Sequence, residues 1–404
     1  MGLTPALQFV IECARRSCGG RAHRIPSDPN WDDVLRHTED QSLFAAVGAV
    51  LDTLPDRESG SDSRRQIQVR ATVARMQRRL RQEPGMQRVL TVLADARCAP
   101  IVLKGPALAY SRYVQPEFRS FADLDILLPA SEVERATQAL LASGFAINPE
   151  TPLPGGHQHV PPLFAPQNEI VVELHHDVFE AESPFSPVVD EWRARAEPTT
   201  MLGHPIHVLS ATDAVLHTCV HLSHGHTYLR HPLRSLTDIL ALTLSGAVSW
   251  PDLVQRAREA QMSGAVVWPL AAARAWLKAP IPAPVFEQLM PGQPLRWFIG
   301  TAMGSGYILD RDSVADDGTA VAYERLIELS MLGHTSVTGC GKILLNGLFP
   351  PARGTADCGA TPPTSTTRHT LKLVRPMRIL RGLRAMGQLL GHREDWTRSD
   401  AFSD

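Results

Sequence analysis

Apolar residues within residues 1–94 recur three and four positions apart. Leu43, Val47, Val50, Leu51 and Leu54 form one run, and Val73, Met76, Leu80, Met86, Val89, Leu90 and Leu93 form another. That spacing lays side chains on one face of a helix. Pro84-Gly85 interrupts the second run and predicts a break there. Asp56 to Arg64, charged and containing Gly and Ser, predicts a loop between helices. Past Cys98 the pattern changes. Ile101 to Leu103 reads as a short strand, and a Lys-Gly turn leads into a helix with Pro106 in its first turn. The runs Arg119–Pro129 and Glu169–Val178 alternate with the period of strands. Between them, Ser131 to Ser143 is helical. Ser131 is the expected N-cap with Glu134 as its capping-box partner, and Gly144 is the expected C′ residue. Val133, Ala136, Leu140 and Leu141 make its sheet-facing side.

Thr151 to Gln167 is rich in Pro and Gly and holds His157 and His159, so it is either a lid over substrate or a plain connector. Ser210-Ala-Thr-Asp213 is a second capping box. From there the chain reads as helical to about residue 345. The expected fold class is α+β: a small mixed sheet in residues 95–209 flanked by helical regions at 1–94 and 210–348. Residues 349–369, rich in Pro, Thr and Gly, predict a flexible linker. Residues 370–404 hold a basic amphipathic stretch, 371–390, that suits an anionic membrane, a partner, or the helical region itself.

Composition narrows the class. At 404 residues with 44% hydrophobic content, the chain can bury a good core in two or three domains. A net charge of −2 points to neither nucleic acid nor membrane. Six scattered cysteines form no Cys-x-x-Cys pair, which argues against a zinc ribbon or a disulfide framework. The first ten residues lack the basic start of a signal peptide, and no apolar run is long enough to span a bilayer. A cytoplasmic, reducing location is expected.

The chemistry gathers at Asp123 and Asp125. Two residues apart on a strand, they project from one face. Like charges side by side repel unless a cation sits between them, and Mg²⁺ or Mn²⁺ favours such oxygens. Glu173 sits in an apolar run and is therefore paired, at a strand end, or functional. The turn at Lys104-Gly105 opens into a helix N-terminus, which offers N–H groups to a phosphate, with Lys104 adding charge. Neutralising one member of a repelling acidic trio is expected to leave stability unchanged or raised. Arg75, Arg78, Arg79 and Arg81 make a basic cluster that fits either a nucleotide or RNA contact or a solvated helix face. His217 and His221 share a helix face at metal-binding spacing, but the catalytic Glu of His-Glu-x-x-His is absent. Gly339-Cys-Gly-Lys342 fails as a P-loop, because Ile343 stands where Ser or Thr is required.

The segments Leu103-Lys104-Gly105, Arg119, Asp123-Leu124-Asp125-Ile126-Leu127, Gly144-Phe145 and Glu173-Leu174-His175 stand in a fixed order. So do His217, His221, His224, Arg234 and Asp238 in the following helical half. This arrangement resembles the bacterial family of uncharacterised nucleotidyltransferases, within the DNA polymerase β-type superfamily. The resemblance covers roughly residues 95–280. It implies that Asp123, Asp125 and Glu173 hold Mg²⁺ (or Mn²⁺) and carry catalysis, and that Lys104, Gly105 and Arg119 receive the phosphates of an NTP, with ATP the default donor. His175, His221, His224, Arg234 and Asp238 would line the cleft, or the histidines would pack between helices. The acceptor is left open among a small molecule, a peptide, a protein and a tRNA. Where the superfamily has Ser in the turn, this chain has Gly105. That departure raises the alternative of a catalytically degenerate nucleotide-binding module.

Overall fold

A computed structural model describes residues 3–290, apart from 22, 55–60, 148–157, 168–169, 180–184, 186–188 and 226–230. Residues 291–348, the linker, the basic amphipathic stretch, the Gly339–Lys342 segment and His157 lie outside the described residues.

The chain opens with α1 (Pro5–Ser17), α2 (Trp31–Asp40), α3 (Phe44–Leu51), α4 (Asp62–Gln77) and α5 (Glu83–Asp95). Side-chain caps from Thr4, Asn30 and Ser61 satisfy the first amides of α1, α2 and α4. The break expected at Pro84-Gly85 does not occur. A π turn, Arg78–Gln82, joins α4 to α5, and Pro84 falls in the first turn of α5. The wider winding accommodates the missing amide without ending the helix. Each residue turns a helix by about 100°, so the extra residue of a π turn rotates the apolar face. Met86, Val89, Leu90 and Leu93 are buried after it, whereas Val73 and Met76 before it and Leu80 within it are 46%, 54% and 69% exposed.

The sheet region follows as β1 (Ile101–Val102), α6 (Lys104–Ser111), β2 (Asp123–Leu127), α7 (Ala130–Ala142), β3 (Ala146–Ile147), β4 (Leu163–Phe164), β5 (Val171–His175), α8 (Val189–Ala194), β6 (Glu197–Met201) and β7 (His204–Val208). Strand order is β3-β4-β5-β2-β1-β7-β6. The sheet is mixed: β2 runs parallel to β5 and antiparallel to β1, which is parallel to β7. The protein is therefore α+β, as the patterning predicts. Ser131 is not the cap of α7. Pro129, with φ −54° and ψ 141°, takes the N-cap position one residue before the helix starts, and no side chain caps it. Gly144 does follow the helix at φ +90°.

The second helical region contains α9 (Ala211–Val220), a π turn at His221–Gly225, α10 (Pro232–Leu244), α11 (Trp250–Glu259), α12 (Ser263–Leu277) and α13 (Ala283–Leu289). Ser210 caps α9 as its capping box predicts, its hydroxyl accepting from the Asp213 amide at 3.2 Å. Helices from both ends of the described chain share one hydrophobic cluster, with Phe9 and Val10 of α1 buried alongside Leu236 and Trp268. A second cluster lies under the sheet, where Leu124, Ile126, Val172 and Leu174 pack with α5 and α7.

One ion pair ties these parts together. Arg119, just before β2, donates to Asp238 of α10 through Nε to Oδ1 at 2.7 Å and Nη2 to Oδ2 at 2.7 Å. The Tyr113 hydroxyl donates to the same Oδ1 at 2.7 Å. Arg78, in the π turn, stacks 3.7 Å over Phe121 and donates to the Arg119 carbonyl at 2.6 Å. Both members of the Arg119–Asp238 pair are buried. Removing one partner of such a pair strands the other charge. Asp238→Asn is expected to cost about 3–5 kcal/mol, read as a lower urea midpoint at unchanged slope. Replacing both residues with apolar ones is expected to cost much less. Equal losses from the single and double changes would contradict this.

Candidate functional site

The site forms where β2 and β5 run side by side. Their register sets Asp125 opposite Glu173 and Leu127 opposite His175. Alternation turns Leu124, Ile126, Val172 and Leu174 into the core beneath, so Asp123, Asp125, Glu173 and His175 share the other face. The exposure of the group is graded. The Asp125 side chain is 1% exposed, and that of Glu173 is 22%.

A carboxylate this deep needs positive charge beside it. Two groups supply it. The Lys104 ammonium lies 3.1 Å from Asp125 Oδ1, and His175 Nε2 donates to the same oxygen at 2.9 Å. Burial favours the neutral acid, but Lys104 and His175 outweigh it and hold Asp125 well below the usual carboxylate range. Burial would likewise lower the Lys104 ammonium, yet Asp125 and Asp123 keep it above its ordinary value. Asp123 behaves oppositely: burial and the charge of Asp125 raise its pKa. The acidic group is thus not a simple repelling trio. Asp125 is bonded directly by Lys104 and His175, whereas Lys104 offsets Asp123 only in part, so neutralising Asp125 removes the direct partner of Lys104, contrary to the expectation of unchanged stability for any member.

Lys104 pays a conformational cost to reach Asp125. It sits at φ +50°, a left-handed conformation worth about 1–2 kcal/mol for a residue with a Cβ. Such strain persists only where surroundings fix it. Gly105 follows at the start of α6. A Cβ there would stand 2.9 Å from Phe121 Cβ and 3.4 Å from Arg119 Nη1. Glycine at this position lets the helix N-terminus close onto the segment that leads into β2.

His159 joins the site from the far side of β5. It pairs with His175 across an isolated antiparallel bridge, its ring centroid 5.0 Å from that of His175. Its Nε2 is 3.8 Å from Glu173 Oε2. The sequence marks it only as part of a loop that is either a lid or a connector; the antiparallel return of the chain along β5 brings it to the site.

Among the described residues, the side chains of Asp125, Glu173 and His175 offer ligand atoms within 4.8 Å of one another. Asp125 Oδ2 and His175 Nδ1 are buried with no hydrogen-bond partner. Two carboxylates, an imidazole and an orphaned carboxylate oxygen suit a divalent cation. His175, placed in the cleft by resemblance, is therefore part of the acidic cluster itself. The remaining residues separate. Arg119 and Asp238 form the buried pair already described. His217 packs edge-on against Phe179 and Trp192, and burial pushes its pKa down to about 3. His221 lies 6.1 Å from the His217 ring, and His224 packs edge-on against Phe185 at 5.1 Å. These contacts make an aromatic cluster between helices. Arg234 opens α10, close enough to Asp123 and Arg119 for their charges to act on it. Of the arginine cluster, Arg78 is buried, while Arg75 and Arg79 form ion pairs with Asp52 and Glu117.

His175 titration tests the cluster. Burial lowers its pKa, but hydrogen bonds to Asp125 and Glu173 raise it above the ordinary 6.5. A raised folded-state pKa contributes stability fully below the unfolded value, and that stability is lost as pH rises through the folded one. NMR titration of the metal-free protein should show His175 holding its proton above pH 6.5, and Glu173→Gln should bring its pKa down. An unshifted His175 would contradict the geometry.

A family model described as uncharacterised nucleotidyltransferase matches residues 27–278. No curated protein matches the chain. Among the described residues, no helix is long and apolar enough to cross a membrane. The match runs from α2 to the end of α12 and includes every residue of the acidic cluster. The chain belongs to the family of uncharacterised nucleotidyltransferases.

Proposed function

We propose that this protein moves a nucleoside monophosphate from an NTP to a hydroxyl or phosphate acceptor, with Mg²⁺ or Mn²⁺ held by Asp123, Asp125 and Glu173. The observation that carries the reading is the register of β2 and β5, which sets Asp125 against Glu173 on one face. The unpartnered Asp125 Oδ2 and the His175 imidazole add donors at the same point. A bound divalent ion would neutralise charge on the phosphates and on the attacking and leaving oxygens.

The protein's own groups divide the remaining work. Asp125, kept ionised by Lys104 and His175, is ready to bind a cation at neutral pH. Glu173 is the more exposed carboxylate and stands where an acceptor hydroxyl can reach it, so it takes that proton. The amides of Lys104 and Gly105, at the N-terminus of α6, receive phosphate oxygens. Lys104 sits beside them and offsets negative charge. Arg119 acts mainly by holding the Gly105 turn against β2. ATP is the donor by abundance, and the acceptor is a small molecule, a peptide, a protein or a tRNA.

One observation favours a second reading, a nucleotide-binding module without chemistry. The Lys104 ammonium already neutralises Asp125, as a metal ion would. Incubating the protein with α-labelled NTPs, Mg²⁺ and cell extract separates the two. Transfer of label is expected from the wild type and is expected to vanish in Asp123→Asn. The melting temperature of that variant should be unchanged or higher, because burial and Asp125 already disfavour the Asp123 charge. Nucleotide binding without transfer would favour the module. Unfolding of Asp123→Asn would make this carboxylate structural and contradict the assignment.

A further inference from the structure

The cations nearest the acidic cluster are already committed. Lys104 is 3.1 Å from Asp125, and Arg119 grips Asp238 through Nε and Nη2 while its Nη1 donates to the Ser120 carbonyl. Both already have an acidic partner before a polyanion arrives. Arg234 is different. Its Nε is buried and makes no hydrogen bond, and among the described residues its guanidinium has no carboxylate or carbonyl partner. The residue is partly exposed, so solvent and ligand reach it.

Its setting makes that lack of a partner costly. Arg234 lies in the first turn of α10, where the helix dipole already presents positive charge. No acidic residue occupies that turn, and the N-cap His231 makes no side-chain cap. Burial and the neighbouring Arg119 both disfavour its charged form, while Asp238 and Asp123 favour it. Asp238 is spent on Arg119 and Tyr113. A desolvated guanidinium at a helix N-terminus, beside a second arginine, fits one class of ligand: an anion with several oxygens.

We infer that Arg234 binds the β- and γ-phosphates of the nucleotide, as a cation with a buried, unpartnered Nε and no acidic partner among the described residues. The inference rests on the nucleotidyl-transfer reading. Geometry links the two places: Asp238, one helical turn beyond Arg234 on α10, holds Arg119, which lies just before the strand that begins with Asp123. The phosphates would then extend from the acidic cluster toward α10, so that a helix outside the sheet holds the group that leaves. Pyrophosphate would depart from Arg234 while the nucleoside monophosphate stays beside Asp125 and Glu173.

Calorimetric titration of the full chain with inorganic pyrophosphate, an NTP and the matching nucleoside monophosphate tests this, in wild type, Arg234→Gln and Arg234→Lys. Arg234→Gln is expected to weaken pyrophosphate and NTP binding about ten- to a hundredfold, the usual loss of a charged contact. Monophosphate affinity should barely change, and the melting temperature should hold or rise, because the variant removes an uncompensated buried charge. Arg234→Lys should keep part of the affinity, as a point charge without the planar fork. Unchanged pyrophosphate affinity in Arg234→Gln, or equal weakening of all three ligands, would overturn the inference while leaving the nucleotidyltransferase reading intact. Pyrophosphate binding lost in Arg234→Gln, with no NTP binding by the wild type, would overturn that reading and the nucleotide assignment while leaving an anion site.

Discussion

A carboxylate buried almost completely in the face of a sheet sets the terms for this molecule. Asp125 is 1% exposed, and an isolated charge at that depth would neutralise itself by taking up a proton. It stays ionised because Lys104 and His175 converge on one of its oxygens. Much of the local structure follows from that requirement. The backbone at Lys104 turns left-handed at the start of α6. β5 must lie parallel to β2 in one register, since a slip of one residue would send His175 and Glu173 into the apolar core. The second oxygen of Asp125 is left without a hydrogen-bond partner, in a cluster where Asp125, Glu173 and His175 offer ligand atoms within 4.8 Å of one another. Stability and chemistry thus draw on the same atoms.

The Arg119–Asp238 pair plays the corresponding part between regions. It joins the segment entering β2 to the middle of α10, while Arg78 and Phe121 bring in the π turn. This contact fixes α10 against the site and so fixes where Arg234 stands. A polar joint of this kind gives little net stability compared with an apolar one, but its geometry is specific. An apolar joint would tolerate sliding of α10, and the cation in its first turn would lose its place.

Local patterns carried much of this into view. Asp-x-Asp on a strand, the carboxylate of Glu173 in a β-branched run, the Lys-Gly turn and the Ser210 capping box each depend on neighbours in sequence, and each was legible. The pairings across long separations were not. Lys104 reads as a phosphate ligand until β1 and β2 bring it to Asp125, twenty-one residues away. Arg119 reads the same way until α10 supplies Asp238. His159 was legible only as part of a loop that could be a lid or a connector; the return of the chain along β5 is what places it beside His175 and Glu173. Val73, Met76 and Leu80 share the helical period of buried residues, yet the π turn rotates them out of that face. Ser131 failed as a cap because α7 starts at Ala130, with Pro129 and its extended ψ of 141° at the N-cap position.

The central claim is the proposal that Asp125 and Glu173, with Asp123 and His175 beside them, form one cation site in which Lys104 competes for an oxygen of Asp125. Manganese binding followed by electron paramagnetic resonance tests it without reference to turnover. Wild-type protein should take up Mn²⁺, Glu173→Gln should bind it more weakly, and Lys104→Met should bind it more tightly because the competing ammonium is gone. Mn²⁺ uptake that ignores Glu173→Gln, or that is lost in a folded Lys104→Met protein, would contradict the account.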